Sequence, residues 1–161
     1  MGGLACGVEA RVPDCLKPEF YDMWFSLDGG WSTVEEFDVA EADLGATLNW
    51  LYRTWGVHVG WGYRGGTTDY LRSLYARAGW SPILGDWRII GGGYIGETWY
   101  RPDPDDGFRE ELVEIGGYLE VVVPLMDGLR MHWRFCGGAL KSSVRDWMPV
   151  WRLDAGVCFF I

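Results

Sequence analysis

The sequence predicts a single α+β domain, with helices in the N-terminal two thirds and an antiparallel β-hairpin or meander in the C-terminal third. Three observations predict this class: a capping-box spacing that starts at Ser32, apolar residues three and four apart over 44–55, and alternation of apolar and polar residues over 129–136. At 161 residues, 48% hydrophobic and 23% charged, the chain has the size and composition of one globular domain over 1–161.

Four helices are expected in the first two thirds. Ser32 and Thr33 precede two glutamates at capping-box distance, so the first helix is expected to begin there. A second is expected over 43–55, closed by a glycine, and a third over 69–78, closed in the same way. Residues 86–100 contain glycines that weaken a helix, yet their aromatic and β-branched residues recur at helical spacing and favour a fourth.

Strands are expected mainly in the last third. Residues 108–115 and 118–123 predict a β-hairpin that turns at the glycine pair between them. Residues 129–136 predict a strand with one apolar face, and 157–161 predict a final apolar strand. Residues 139–147 favour one more helix, and a short extended piece is expected at 57–59.

The sequence indicates a cytoplasmic protein without membrane contact. A secretory signal begins with Lys or Arg, and the first ten residues contain neither. No uncharged apolar run reaches the length of a membrane-spanning helix. The four cysteines lack the spacing of zinc ligands, so we expect reduced thiols, no metal and no cofactor.

Charge is concentrated in two acidic stretches. Residues 1–50 hold ten acidic and two basic side chains, and residues 101–125 hold seven and two. Such a surface disfavours nucleic acid and attracts a basic partner. Exposed tryptophans commonly anchor interfaces, and Trp31 and Trp61 stand in glycine-rich segments. Besides these two tryptophans, the partner-binding residues are predicted to be Glu35, Glu36, Asp38, Glu41, Asp103, Asp105 and Asp106.

A stripe of Arg130, His132 and Arg134 on one strand face offers an alternative site. It could hold an anionic ligand, or it could pair with the acidic hairpin beside it, which is the favoured interpretation. No nucleophile motif accompanies either histidine, so no catalytic residue is assigned. The G-x-G-x-x-G match at 60–65 does not open a helix directly, as a dinucleotide fingerprint would, and is interpreted as a glycine-rich loop.

One segment resembles a known group of proteins. Gly93-Tyr94-Ile95-Gly96-Glu97, a polar turn, the run Leu119–Pro124 and Ser143-x3-Trp147 resemble small bacterial domains with a Tyr-x-Gly-Glu helix, of the kind associated with immunity and polymorphic-toxin loci. The resemblance covers about residues 86–150. It implies a protein-binding role and transfers no catalytic residue.

The combined hypothesis is an acidic, tryptophan-rich inhibitor without enzymatic activity. It would act as an immunity-type antitoxin or a phage-type anti-defence protein, blocking a basic toxin or nucleic-acid-binding effector by steric and electrostatic means. The alternative is a small enzyme or ligand-binding module that uses an aromatic pocket and the face of Arg130, His132 and Arg134.

Overall fold

The computed structural model describes residues 21–34, 39–53, 55–66, 71–84, 87–101 and 109–161. Within these ranges the regular elements are nine β-strands, and no helix there is long and apolar enough to cross a bilayer. The strands are β1 (Tyr21–Val34), β2 (Val39–Tyr52), β3 (Val57–Gly66), β4 (Leu71–Trp80), β5 (Ile83–Leu84), β6 (Trp87–Tyr100), β7 (Glu110–Met126), β8 (Leu129–Lys141) and β9 (Met148–Phe160).

Eight of these strands close into an up-and-down barrel. Each long strand pairs antiparallel with its neighbours along the chain. The two residues of β5 pair with Trp87 and Arg88 at the start of β6. β4 pairs with β6, and β1 pairs with β9 from Trp24↔Phe160 to Val34↔Val150. The circle of hydrogen bonds is therefore complete, and the barrel has no free sheet edge among its eight long strands.

The two ends of the barrel differ. The terminal end is the one that holds Tyr21, Phe160, the turn residues 53, 55 and 56, and the turn at 127–128. The loop end is the one at which β1 finishes and β2 begins. Asp127-Gly128 joins β7 to β8 in two residues, and Gly128 has φ of 75°, a conformation that a tight hairpin requires and that glycine adopts without strain.

The inward and outward faces of the strands are inverted relative to a soluble protein. In β3, His58 and Arg64 point inward and are buried, whereas Val59, Trp61 and Tyr63 point outward and are exposed. The same alternation runs along the other long strands. Most of the buried side chains are consequently polar, and apolar side chains cover the outside.

The α+β prediction is wrong. The helices were expected to begin at Ser32 or to cover 43–55, 69–78, 86–100 and 139–147. The described parts of these segments lie in strands, turns, bends or irregular connections. In β2, Leu44, Leu48 and Tyr52 are outward members of a period-two series, and inward Leu51 completed an accidental helical spacing. Gly93–Glu97, which the resemblance placed in a helix, lies in β6.

The strand predictions in the last third are partly confirmed. Residues 129–136 lie in β8, 57–59 in β3 and 157–160 in β9. The hairpin turn at 116–117 is wrong, because β7 runs through it without a break. Both glycines have strand partners on either side, in β6 and in β8, so the chain cannot reverse there.

Two apolar layers close the interior. The layer toward the loop end consists of Val34, Leu71, Leu112, Leu140, Met148 and Val150. The other cluster includes Trp24, Leu51, Ile90, Val122 and Cys158, whose strand positions lie toward the terminal end. Cys136 and Cys158 are buried free thiols. Between the two layers lies a band of charged side chains.

Candidate functional site

The centre of the barrel holds buried charges, which we term the central belt. Each member is at most 5% exposed. Its acidic members are Asp28, Asp43, Glu114, Glu120 and Asp154, and its arginines are Arg64, Arg77, Arg134 and Arg152. Buried charges are tolerated only when they are paired, so the geometry of these pairs decides whether the barrel is stable.

Arg134 on β8 connects three strands. Its Nη1 lies 3.3 Å from Asp28 Oδ2 on β1 and 3.4 Å from Asp154 Oδ2 on β9. Its Nη2 lies 3.3 Å from Glu120 Oε1 on β7. Glu120 also accepts a 2.7 Å hydrogen bond from Arg77 Nη1 on β4, which β6 separates from β7 in the sheet. The belt thus ties together strands that are not sheet neighbours.

His132 lies between two carboxylates. Its Nε2 is 2.6 Å from Asp28 Oδ1, its Nδ1 is 2.7 Å from Glu120 Oε1, and the side chain is fully buried. In the sheet, β9 lies between β8 and β1, and Gly156 on β9 pairs with His132 on one side and with Asp28 on the other. A Cβ added at Gly156 would lie 2.6 Å from His132 Nε2, so glycine provides the space in which the ring reaches β1.

Substituting Gly156 is expected to destabilise the barrel. Gly156→Ala would place a methyl group against His132 and even closer to the backbone oxygen of Leu27, and overpacking of this kind costs about 1–3 kcal/mol. Urea unfolding of the refolded protein measures the loss. Gly91→Ala is the matched control, because Gly91 faces outward and its added Cβ would have Leu119 Cδ1 nearest, at 3.9 Å. Equal stability of the two variants would contradict this role of Gly156.

A second group of the belt centres on Glu114. Arg152 donates to it from Nε at 3.1 Å and from Nη2 at 2.5 Å. Thr98 and Tyr94 donate hydroxyl hydrogen bonds to the same carboxylate at 2.6 and 2.9 Å. Its oxygens are therefore engaged by donors from two strands, β6 and β9. Arg64 in turn pairs with Asp154 and lies 3.6 Å from Asp43.

The belt leaves little free volume. It surrounds a cavity of about 10 Å³, which is room for roughly one water molecule. A hollow of about 810 Å³ lies at the terminal end, next to Asp22, whose carboxylate pairs with Arg53 and Arg88. In the described part of the chain, the interior between the two apolar layers is filled by side chains.

The outer surface is apolar and rich in aromatic residues. Trp80 and Trp87 lie outward near the terminal end, and Trp31 and Trp151 lie outward in the half toward the loop end. Trp61 is 55% exposed near the middle of its strand. Among the outward strand positions whose side chains the structure describes, the charged residues are Arg72, Glu97, Glu111 and Lys141, all in the half toward the loop end.

The structure separates the predicted partner-binding residues from one another. Trp31 and Trp61 are exposed on the apolar outer face, on β1 and β3. The side chain of Glu41 is not described, although its backbone pairs with Ser32. Glu35, Glu36, Asp38, Asp103, Asp105 and Asp106 lie outside the described residues.

The alternative stripe is present, but it points into the barrel. His132 and Arg134 are buried against Glu120 on the adjacent β7, which is the favoured pairing with a neighbouring acidic strand. Arg130 lies half-buried with its guanidinium 4.4 Å from the centre of the Phe160 ring. The partners on β1 and β4, Asp28 and Arg77, were missed because a lone charged residue in a sequence is normally placed at the surface.

The fold is similar to that of outer-membrane barrels. No protein-family model matches the sequence, and no curated protein matches it. Neisserial surface protein A is 12% identical over 86% of this chain and 96% of its own, with a TM-score of 0.60. The N-terminal β-barrel domain of Pseudomonas aeruginosa OprF is 12% identical over 86% and 97%, with a TM-score of 0.56. Ail of Yersinia pestis is 11% identical over 88% and 97%, with a TM-score of 0.54.

This likeness contradicts the functional hypotheses drawn from the sequence. A cytoplasmic antitoxin or anti-defence inhibitor without membrane contact, acting on a basic protein, does not fit a barrel of this kind. The alternative, a ligand face of Arg130, His132 and Arg134, does not fit either, because His132 and Arg134 are sealed inside and paired. The error arose because apolar strand faces were assigned to a core, whereas they cover the outside.

Proposed function

We propose that the chain is an outer-membrane β-barrel that anchors and displays its loops, and that its filled interior prevents it from acting as a diffusion pore. The observation that supports this proposal is the inverted alternation of the strands, with paired charges inside and exposed apolar side chains outside. In a bilayer only a helix or a closed barrel satisfies every backbone hydrogen bond, and this sheet is closed.

The apolar surface has the height of a membrane. On β6 the outward positions from Trp87 to Ile95 are uncharged, and Glu97 is the first charged one. Ten residues at about 3.3 Å each, tilted by about 40°, span roughly 25 Å, which is the height of the apolar band in outer-membrane barrels. Outward tryptophans toward both ends suit the two membrane interfaces.

The topology supports one orientation. Outer-membrane barrels place short turns in the periplasm and longer loops outside. The terminal end includes the two-residue turn at 127–128, and the longest connection, 101–109, joins strands at the loop end. We therefore assign the terminal end to the periplasm and the loop end to the cell exterior.

An eight-stranded barrel is narrow enough for side chains to fill it. Here the central belt and the two apolar layers do so. In planar bilayers at neutral pH, the purified protein is expected to give no steady conductance.

Membrane fractionation of expressing cells tests the location independently, since the protein should partition with the outer membrane. Recovery in the soluble fraction would contradict the location, and a steady open channel would contradict the sealed interior.

A charge introduced on the outer face is expected to be costly. Leu27 points outward near the middle of β1, and an arginine at the bilayer midplane costs about 2–4 kcal/mol. Leu27→Arg should lower the free energy of unfolding from lipid vesicles by that amount. Val57→Arg is the matched control at the end of β3, where the same substitution should cost about 0–1 kcal/mol. Similar losses in both variants would argue against a lipid-facing surface.

A further inference from the structure

We propose that His132 is a charged latch: its imidazolium holds Asp28 and Glu120 together, and loss of its proton admits water and ions to the barrel. This proposal deepens the sealed membrane barrel proposed above and rests on it. It begins with the geometry of the ring, whose two nitrogens lie 2.6 and 2.7 Å from carboxylate oxygens on different strands. The Nδ1 contact with Glu120 has hydrogen-bond geometry, and the Nε2 contact with Asp28 is a close ion-pair approach without it. An unprotonated ring nitrogen at either distance would set its lone pair against a carboxylate oxygen, so the two contacts favour a positive ring.

The charges of the central belt lead to the same conclusion. Among the described residues, the belt has five carboxylates against four guanidiniums. An imidazolium at position 132 makes the two signs equal. At the two ends, Arg145 pairs with Glu110, and Asp22 pairs with Arg88 and with the half-exposed Arg53. These groups lie outside the belt and are not counted in this comparison.

The ring has charged or titratable neighbours on every strand packed against it. Arg134, on its own strand, has Nη2 3.4 Å from Nδ1 and holds the same two carboxylates. The remaining groups that face this part of the interior are Asp28 on β1, Tyr75 and Arg77 on β4, Tyr118 and Glu120 on β7, and Asp154 and Cys158 on β9. Arg134 already contacts both Asp28 and Glu120 at 3.3 Å, and Arg77 already pairs with Glu120. Their charges are part of the belt's four guanidiniums, so they do not compensate the loss of a fifth positive charge at position 132.

Loss of the ring proton has two consequences. One nitrogen becomes an acceptor and faces a carboxylate oxygen, so one of the two short contacts must break. The belt also acquires one uncompensated negative charge, which is strongly unfavourable in a dry interior. Water and cations that enter the belt would relieve both. The barrel is therefore expected to be closed at neutral pH and hydrated at alkaline pH.

His58 provides an internal control for the protonation state. It is equally buried, but its Nδ1 lies 2.8 Å from the Tyr118 hydroxyl and its Nε2 3.3 Å from Asn49 Oδ1, with no carboxylate in contact. Nitrogen NMR of the refolded protein should show both His132 nitrogens protonated at neutral pH and only one at His58. A single protonated nitrogen at His132 would overturn the proposal, whether or not the barrel conducts.

Conductance tests the latch itself. In planar bilayers, wild-type protein should be closed at neutral pH, and the open fraction should then rise by about tenfold per pH unit as the neutral ring becomes populated. His132→Gln, which cannot be charged, should be open already at neutral pH, whereas His58→Gln should behave as wild type. Asp28→Asn combined with His132→Gln restores the balance of charges and should close the barrel at every pH tested.

The outcomes separate this proposal from the one on which it rests. If wild-type protein is closed at neutral pH and stays closed on alkalinisation while NMR records loss of the proton, the latch is wrong and the sealed barrel stands. If wild-type protein conducts at neutral pH, the sealed barrel itself is wrong. If His132→Gln does not fold, the alkaline titration of wild type and the double variant decide the matter.

Discussion

Replacing Arg134 by methionine is expected to lower the free energy of unfolding by about 3–5 kcal/mol, because it removes a cation that contacts three buried carboxylates at once. The guanidinium contacts Asp28, Glu120 and Asp154 from a side chain that is only 1% exposed. Methionine retains most of the apolar stem, so the loss reports charge and hydrogen bonding rather than volume. Urea unfolding in detergent micelles or lipid vesicles measures it.

Arg109→Met is the matched control for Arg134→Met. Arg109 makes a 3.1 Å ion pair with Glu111, and both side chains are more than half exposed. Exposed pairs contribute about 0–1 kcal/mol, so this variant should unfold almost as wild type does. A loss at Arg134 no larger than that at Arg109 would show that the interior is hydrated enough to screen its charges.

Removing Arg152 is expected to cost about 3 kcal/mol or more, and removing the charge of its partner should recover part of that loss. Arg152→Met leaves Glu114 as a buried carboxylate with hydroxyl donors only. Glu114→Gln retains an acceptor oxygen for Tyr94 or Thr98 but carries no charge. The double variant should therefore be more stable than Arg152→Met alone.

The double-mutant cycle of Arg152 and Glu114 gives the coupling directly. Residues in direct contact within one network usually show coupling of about 0.5–3 kcal/mol, and we expect the upper half of that range for this twofold contact. The free energies of unfolding of the four proteins supply the value. Strict additivity would mean that the ion pair makes no net contribution to the barrel.

The strands themselves could be predicted from the sequence only where alternation was uninterrupted. In β8 the outward series of Trp133 and Phe135 alternates with inward His132 and Arg134, so the strand was found and its polar face identified. In β2 inward Leu51 breaks the alternation, and in β6 four glycines remove the side chains that would have shown it. Period two was present in both, but a helical spacing fitted the remaining apolar residues equally well.

The direction of the faces could not be predicted, because alternation alone does not say which side meets water. The assignment of apolar residues to a core is correct for soluble proteins and reversed for a barrel in lipid. The inward glycines held a usable signal: Gly60 and Gly62 in the rejected fingerprint stand beside Arg77 and Tyr75 on β4, where an added Cβ would lie 2.7 and 2.8 Å from these side chains. Glycines alternating with aromatic residues thus indicated large partners on the next strand.

The pairing of β1 with β9 determines when this protein can fold. Trp24, near the start of β1, pairs with Phe160, near the end of the sequence. The ring of hydrogen bonds therefore cannot close while the chain is still being synthesised. Until β9 is available, β1 and β8 present open edges, and the outward apolar residues of the intervening strands have no bilayer to cover them. A product that lacks β9 is therefore expected to aggregate, because its open edges and outward apolar residues stay uncovered.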